Sequence, residues 1–138
     1  MKREIPSILI TDDDRGFRET LEGVFRPRGF RTLTAGDGLE ALEIIRAQEV
    51  HLLLVDNHMP RLSGLETLRL IQEFRTDLPC ILLSARLDDA VRQQAAEARA
   101  FEVLPKPVSR ADVTQAVSQA LERAYGWKTP NLDSLTSG

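Results

Sequence analysis

Five polar residues stand at or just beyond the ends of short apolar runs, namely Asp12, Asp13, Asp56, Ser84 and Lys106. Carboxylates brought within a few ångströms repel each other, so either one of them keeps its proton or a cation lies among them. Oxygen ligands with room for water suit Mg²⁺. A carboxylate left free can attack phosphorus, while a lysine ammonium and a serine hydroxyl can bind the oxygens of the transferred group.

Each of these residues also has an ordinary structural interpretation. Asp56 could serve as a turn or capping residue after a strand. Ser84 could be a turn hydroxyl, and Lys106 could be a solvated loop lysine. Asp14 is expected to be only a helix N-cap. Lys106 is nevertheless unusual, because the chain has three lysines among its 18 lysine and arginine residues and the other two lie in the termini.

Apolar periodicity predicts five strands that alternate with five helices. The strands are predicted at 7–11, 31–35, 52–56, 80–83 and 101–104, and the helices at 15–28, from 37 onward, at 63–75, 88–100 and 109–125. Strands joined by helical crossovers are parallel neighbours in one sheet, with helices on both faces. The carboxyl ends of parallel strands share one edge, where open α/β sheets bind ligands. The five polar residues are therefore predicted to meet there.

The predicted helices carry more specific expectations. Asp37 is expected to be an N-cap, with Glu40 completing a capping box. Leu39 and Phe74 are assigned to the inner faces of their helices, and Ser109 is expected to cap the last helix. The helix at 88–100 is expected to be the least firmly packed, because its only candidate core contacts are Val91, Ala95 and Ala98.

Size and composition indicate one ordinary domain. The 138 residues are 42% hydrophobic and 28% charged, with a net charge of −3 that suggests no nucleic-acid or membrane surface. Apolar runs are too short to span a membrane, and a cytoplasmic protein is expected. Cys80 is expected to be a small core residue. The domain is placed at 5–125, and 126–138 is interpreted as a loose tail or the start of a linker, with docking of Trp127 on the domain as the less favoured alternative.

The motifs around the five polar residues resemble the receiver domains of two-component response regulators, of the chemotaxis-regulator type. They are Ile-Leu-Ile-Thr-Asp-Asp-Asp at 8–14, Leu-Val-Asp-Asn-His-Met-Pro at 54–60 with Gly64, Leu-Leu-Ser-Ala at 82–85 and Leu-Pro-Lys-Pro at 104–107. The resemblance covers residues 7–124. It implies a flavodoxin-like, doubly wound sheet of five parallel strands in the order 2-1-3-4-5.

The resemblance also implies roles for the residues. Asp56 would accept a phosphoryl group from a phosphohistidine of a sensor histidine kinase or phosphotransfer protein. Asp13, Asp56 and the backbone carbonyl of His58 would hold Mg²⁺, with Asp12 assisting through water. Ser84 and Lys106 would contact the phosphoryl oxygens, and the Lys106–Pro107 bond would be cis.

The same resemblance implies a signalling switch, not an enzyme beyond its own phosphoryl transfer and slow autodephosphorylation. Its partners would be the kinase and an unknown output domain or partner protein. The 88–100 helix is the element expected to respond, and the surface of 88–125 is the candidate for a dimer contact.

Two positions, Val103 and Arg99, depart from the family pattern, and His58 carries an open alternative. Val103 replaces the usual aromatic residue three positions before the lysine, which leaves the usual signal to the last helix without its rotamer switch. Phe101 is expected to share the facing of Val103 and to be core. Arg99 stands where many relatives have glycine. His58 could contact the phosphoryl group or obstruct attacking water, or it could be a solvent-facing loop histidine.

Two other classes compete with the receiver interpretation. In a haloacid-dehalogenase-like phosphatase, Asp12 would be the nucleophile and Asp14 the acid/base. That interpretation requires an acid pair after the lysine, which the sequence does not supply at a strand end, and it leaves Asp56 without a role. A non-phosphorylatable interaction module is disfavoured because all of the site residues are present.

Overall fold

The computed structural model describes residues 5–128, in which five strands alternate with five helices. The strands are β1 (Ser7–Thr11), β2 (Arg31–Ala35), β3 (Leu52–Asp56), β4 (Cys80–Ser84) and β5 (Glu102–Pro105). The helices are α1 (Arg15–Phe25), α2 (Gly38–Ala47), α3 (Gly64–Gln72), α4 (Asp89–Glu97) and α5 (Arg110–Tyr125), with a 3₁₀ turn at Arg26–Arg28. The predicted alternation is confirmed, although α1, α3 and α4 each end three residues earlier than predicted.

The strands form one parallel sheet in the order β2-β1-β3-β4-β5, as predicted. β3 lies at its centre, hydrogen-bonded to β1 on one side and β4 on the other. The register pairs Asp56 with Leu83, so the end of β3 lies beside the end of β4. All connections cross over through helices, which brings the carboxyl ends of the strands to a single edge.

Side chains of β3 alternate between two cores, one on each face of the sheet. Leu52 and Leu54 belong to the core formed with α1 and α5, whereas Leu53 and Val55 belong to the core formed with α2, α3 and α4. All four are fully buried, which is why the strand is apolar at successive positions. Burying each such side chain contributes about 1.5–3 kcal/mol. The strand that ends in Asp56 is thus held rigidly from both sides.

Cys80 begins β4 within the core on the α2–α4 side, as expected for a small core residue. Its side chain is fully buried. Burial raises the pKa of its thiol to about 12, so the group remains a protonated thiol at neutral pH.

Two apolar residues assigned to inner helix faces are exposed instead. Leu39 lies in the first turn of α2 and is 50% exposed, because Ala41 and Ile45 are the residues that face the sheet. Phe74 lies beyond the end of α3 and is 38% exposed, with the Arg46 guanidinium 4.8 Å from its ring centroid. Both expectations were wrong because the apolar stripes are narrower and shorter than the periodicity suggested.

The predicted capping box at the start of α2 is also incomplete. Asp37 is the N-cap and accepts a hydrogen bond from the Glu40 backbone N–H. The Glu40 carboxylate does not return to the N-cap, because it accepts from the backbone N–H of Gly36 at 2.7 Å. A complete capping box is found at α3, between Ser63 and Glu66.

The weakly amphipathic helix α4 packs as its sequence predicted. Ala95 is its one buried residue, fewer than in any other α-helix of residues 5–128, while Val91 and the C-cap Ala98 also contact the α2–α4 core. The helix ends where Arg99 adopts a left-handed backbone conformation, with φ of 61°. A glycine at this position would adopt that conformation without strain.

Trp127 docks on the domain, so the expectation of a loose tail from residue 126 was wrong at this position. Its ring stacks on Tyr125 with a centroid distance of 4.4 Å, and it meets the His51 ring edge-on at 4.9 Å. The Tyr125 hydroxyl donates to the backbone carbonyl of His51 at 2.7 Å. The aromatic residues interrupt the helical periodicity, which concealed their packing; residues 129–138 lie outside the described residues.

None of the helices in the described range 5–128 has the length and apolar character needed to cross a membrane.

Candidate functional site

The lysine after β5 reaches the acids after β1 and β3. The ammonium nitrogen of Lys106 lies 3.0 Å from Asp12 Oδ2 and 3.4 Å from Asp56 Oδ1. Both carboxylates are almost completely buried, and the lysine side chain is largely covered. Residues separated by 94 and 50 positions along the chain therefore form one ionic cluster at the predicted edge of the sheet. The peptide bond between Lys106 and Pro107 is cis, as the resemblance implied.

The three successive acids after β1 occupy different environments. Asp12 is buried and accepts hydrogen bonds from the Asp14 backbone N–H through Oδ1 and from Lys106 through Oδ2. Asp13 is exposed at the mouth of the site. Asp14 caps α1 by accepting from the Phe17 backbone N–H, which confirms its expected role as an N-cap. The start of α1 therefore fixes the direction in which Asp12 and Asp13 leave the strand.

Opposing effects act on the pKa values of Asp56 and Lys106. Burial and the negative charge of Asp12 raise the pKa of Asp56, and they outweigh Lys106 and the His58 backbone N–H, which act to lower it. Burial acts to lower the pKa of Lys106, but the hydrogen bonds and charges of Asp12 and Asp56 reverse this effect and raise it. The lysine is therefore firmly protonated, while Asp56 lacks full compensation of its charge.

The acids can also surround a cation. One oxygen each from Asp12, Asp13 and Asp56 lies within 4.8 Å of the other two. Three carboxylates at this spacing, of which one is exposed to water, provide a hard, oxygen-only donor set that fits a divalent cation with several water ligands. A cation there would offset the burial and like-charge repulsion that disfavour the carboxylate form of Asp56.

Ser84 lies at the end of β4 and is fully buried. Its Oγ donates to the Arg86 backbone carbonyl at 2.5 Å and accepts from the Arg86 backbone N–H at 3.3 Å. The Nε2 atom of the exposed residue His58 lies 3.3 Å from the same oxygen. In this arrangement Ser84 has the contacts of a turn hydroxyl, and its expected role at the phosphoryl group stays a prediction.

Two residues that were named in the motif at 54–64 but given no role of their own, Asn57 and Gly64, shape the loop after Asp56. The side-chain oxygen of Asn57 accepts from the Leu65 backbone N–H at 3.2 Å, and its carbonyl accepts from the Gly64 N–H at 3.1 Å. Gly64 is packed so closely that a Cβ would lie 2.5 Å from the Asp56 carbonyl oxygen. An asparagine directly after the acid and a glycine at the start of α3 were the available signals.

A third overlooked residue, Phe17, lies beside the site. It packs partly against the α1–α5 core. Its ring also faces the Lys106 ammonium, with 4.3 Å between the nitrogen and the ring centroid. Apolar periodicity cannot distinguish such a contact from ordinary core packing.

Val103 and Phe101 do not share a facing. Val103 contacts the core on the α2–α4 side, whereas Phe101 contacts the α1–α5 core. The expectation of a common face was wrong because β5 begins at Glu102, so Phe101 precedes the regular alternation of the strand. Phe101 is nevertheless packed against the core, as expected.

Comparison with known proteins shows the family to which this chain belongs. The family model described as response regulator receiver domain matches residues 8–118, which is most of the chain. This chain is a response regulator receiver domain. The flavodoxin-like sheet, its order and the acidic cluster after β1 and β3 agree with that assignment. The phosphatase alternative, which left Asp56 without a role, is thereby set aside.

Individual relatives support the same family. The receiver domain is 34% identical over 129 residues to the response regulator MprA of Mycobacterium sp. strain KMS, an alignment that covers 94% of this chain and 56% of the relative. The chain thus spans little more than half the length of that relative.

Solved structures of receiver domains show the same architecture. The receiver domain of an HD domain-containing protein from Pseudomonas fluorescens Pf-5 superposes with a TM-score of 0.85 at 26% identity, covering 90% of this chain and 100% of that one. The response regulator TrrA of Thermotoga maritima, solved in complex with Mg²⁺ and BeF, gives a TM-score of 0.77 at 29% identity, with coverage of 85% and 100%.

Proposed function

We propose that Asp56 is the phosphoacceptor of this receiver domain and takes its phosphoryl group from a phosphohistidine of a sensor histidine kinase or phosphotransfer protein. The observation that carries the proposal is the position of the Lys106 ammonium between Asp12 and Asp56. Both buried carboxylates interact with a backbone N–H and with Lys106, but Asp12 has the shorter contact to the lysine, at 3.0 Å against 3.4 Å for Asp56. Asp56 has the longer lysine contact and is the freer nucleophile.

The transfer is a displacement at phosphorus. An oxygen of Asp56 attacks the phosphorus atom, the bond between phosphorus and the donor's imidazole nitrogen breaks, and the electron pair of that bond stays on the imidazole. An acyl phosphate on Asp56 is the product. Lys106 remains paired with Asp12 and is close enough to Asp56 to contact an oxygen of the new phosphoryl group.

The acidic cluster supports a Mg²⁺ requirement. We assign Asp13, Asp56 and the backbone carbonyl of His58 as direct ligands, with Asp12 assisting through water. Bound Mg²⁺ would supply positive charge to the oxygens of the transferred group. The high exposure of Asp13 beside two buried acids leaves room for the water ligands that this ion retains.

Phosphorylation would be communicated through the loop after β4. Ser84 would turn its hydroxyl proton from the Arg86 carbonyl to a phosphoryl oxygen, and the loop between β4 and α4 would move with it. Because α4 buries a single residue of its own, its attachment is the easiest to change. Output through α4, a dimer contact on the surface of 88–125, and an output domain or partner protein beyond this receiver are parts of the same proposal.

The deciding experiment is incubation of the purified protein with Mg²⁺ and acetyl phosphate, followed by intact-protein mass spectrometry. The wild type should gain the mass of one phosphoryl group, and Asp56→Asn should gain none. Asp14→Asn is the matched control, because asparagine preserves the N-cap and the residue lies outside the ionic cluster. It should be labelled as the wild type is.

Other outcomes would identify the competing classes. Labelling that requires Asp12 and not Asp56, with catalytic turnover of acetyl phosphate, would contradict the proposal. Absence of labelling with acetyl phosphate and of beryllofluoride binding would favour a non-phosphorylatable interaction module. Hydrogen exchange in α4 that stays unchanged when beryllofluoride binds would refute the proposed output through that helix.

A further inference from the structure

The Ser84 hydroxyl makes three contacts and has only one proton to give. Its distance of 2.5 Å to the Arg86 carbonyl oxygen requires that proton, because two oxygen acceptors do not approach so closely without one between them. The contact with His58 Nε2 at 3.3 Å must therefore be donated by the imidazole. His58 thus bonds through its Nε2–H to the lone pairs of Ser84 Oγ.

This bond joins two adjacent strand ends at the site. His58 lies two residues beyond β3, and Ser84 is the last residue of β4, the neighbour of β3 in the sheet. Among the side chains of the described residues 5–128, His58 is the one that hydrogen-bonds Ser84 Oγ, and no bond joins this oxygen to Asp56. The hydroxyl proton therefore points to the Arg86 carbonyl and not to Asp56, which we call the turned-away arrangement.

We propose that His58 is a positioning residue that holds Ser84 in this turned-away arrangement and so opposes the phosphorylated state. The proposal rests on the function proposed for Asp56. To donate to an oxygen on Asp56, the Ser84 hydroxyl must leave the Arg86 carbonyl and lose the geometry in which it accepts from His58. Each of these bonds stabilises the turned-away state alone, so each biases the equilibrium against phosphoryl binding.

The identity of residue 103 makes this role more consequential. Val103 is aliphatic and packs partly into the α2–α4 core, so it offers Ser84 no hydrogen bond. In this receiver domain the exposed imidazole of His58 is thus the polar side chain that moves in concert with the hydroxyl. The coupling runs between the loops after β3 and β4, without passing through β5.

Beryllofluoride binding in the presence of Mg²⁺ tests the proposal, measured by calorimetry on the full chain. A hydrogen bond present only in the unbound state should weaken binding by about fivefold, so His58→Ala should bind about fivefold more tightly than the wild type. His58→Gln is the conservative variant, whose amide can donate to the same oxygen. It should bind more like the wild type.

A double-mutant cycle separates this role from other effects of the imidazole. In a Ser84→Ala background the partner oxygen is absent, so His58→Ala should no longer tighten binding. An equal effect of His58→Ala with and without Ser84 would overturn the proposal, as would unchanged or weaker binding in the single variant. If either result were found while the wild type bound beryllofluoride and Asp56→Asn did not, the function proposed for Asp56 would still be supported. Failure of the wild type to bind beryllofluoride would overturn both proposals.

Discussion

The ring of Phe17 faces the ammonium group of Lys106, whose nitrogen lies 4.3 Å from the ring centroid. A lysine over an aromatic face gains about 0.5–2 kcal/mol, with the higher value in water-poor surroundings. The same ammonium group therefore contacts the ring of Phe17 and the carboxylates of Asp12 and Asp56. These contacts leave the lysine side chain 22% exposed.

Phe17→Leu should lower the free energy of unfolding by about 1 kcal/mol beyond the loss of packing, because it keeps an apolar side chain and removes the aromatic face. Urea denaturation of single and double variants with Lys106→Met measures this coupling. Phe17→Tyr is the matched control and should resemble the wild type. If Phe17→Leu cost as much in the Lys106→Met background as in the wild type, the ring would be packing alone.

Asp56 should make stability depend on pH in metal-free buffer. Burial and Asp12 raise its pKa, so the folded protein binds this proton over a range in which the unfolded chain has released it. Stability should therefore fall as pH rises from the ordinary aspartate range through the raised pKa. Asp56→Asn should be more stable than the wild type at pH 7, by on the order of 1 kcal/mol, and the difference should shrink toward pH 4.

Asp77 is a control for that experiment, because its contribution to stability should change with pH in the opposite direction. The side-chain hydrogen bond from Arg75 lowers its pKa, so its contribution is present at neutral pH and is lost as pH falls. Asp77→Asn should be slightly less stable than the wild type at pH 7, since the group is exposed. If urea denaturation showed Asp56→Asn to be less stable than the wild type at pH 7, the conclusion that the Asp56 carboxylate destabilises the folded protein would be refuted.

Gly64→Ala should be strongly destabilising. Its Cβ would lie 2.5 Å from the Asp56 carbonyl oxygen and 2.8 Å from the Asn57 Cα, and neither backbone atom can move without displacing the loop after β3. We expect a loss of about 3 kcal/mol by urea denaturation. Gly23→Ala is the matched control, because nothing lies within 4 Å of a Cβ there and an exposed helical glycine should gain about 0.5–1 kcal/mol on substitution. Similar effects of the two changes would contradict the crowding at Gly64.

Arg99→Gly should stabilise the domain. Arg99 has φ of 61° directly after the C-cap of α4, where a side chain costs about 1 kcal/mol relative to glycine. Thermal unfolding should show a corresponding gain. Arg92→Gly, in the exposed middle of the same helix, should instead lose about 1 kcal/mol. A loss in both variants would mean that the arginine side chain at 99 makes a compensating contribution.

The sheet and the main cluster were predictable because they follow from rules that ignore side-chain orientation. Four apolar residues before Asp56 indicate a strand buried on both faces, and parallel strands end at one edge. These rules were enough to predict that Lys106 lies near Asp12 and Asp56. The prediction that Asp14 caps α1 succeeded for a similar reason, since an N-cap depends only on local chain geometry.

The contacts that lie beyond prediction depend on where particular side chains point. The approach of His58 to Ser84 needs the conformation of two loops that are 26 residues apart. Phe101 was misplaced because β5 begins one residue later than predicted, so the alternation of strand side chains does not extend to it. Docking of Trp127 was only the less favoured alternative, because a single ring after a helix has no period to detect.

The position of Trp127 makes it an optical reporter placed far from the chemistry. It is the chain's one tryptophan and packs on His51, which precedes β3, whereas Asp56 ends that strand about 17 Å away along the backbone. Quenching by a ligand in direct contact with the indole is therefore not expected at the acidic cluster. A change in its emission when Mg²⁺ or beryllofluoride binds would show that binding at one end of the sheet alters the structure at the other end.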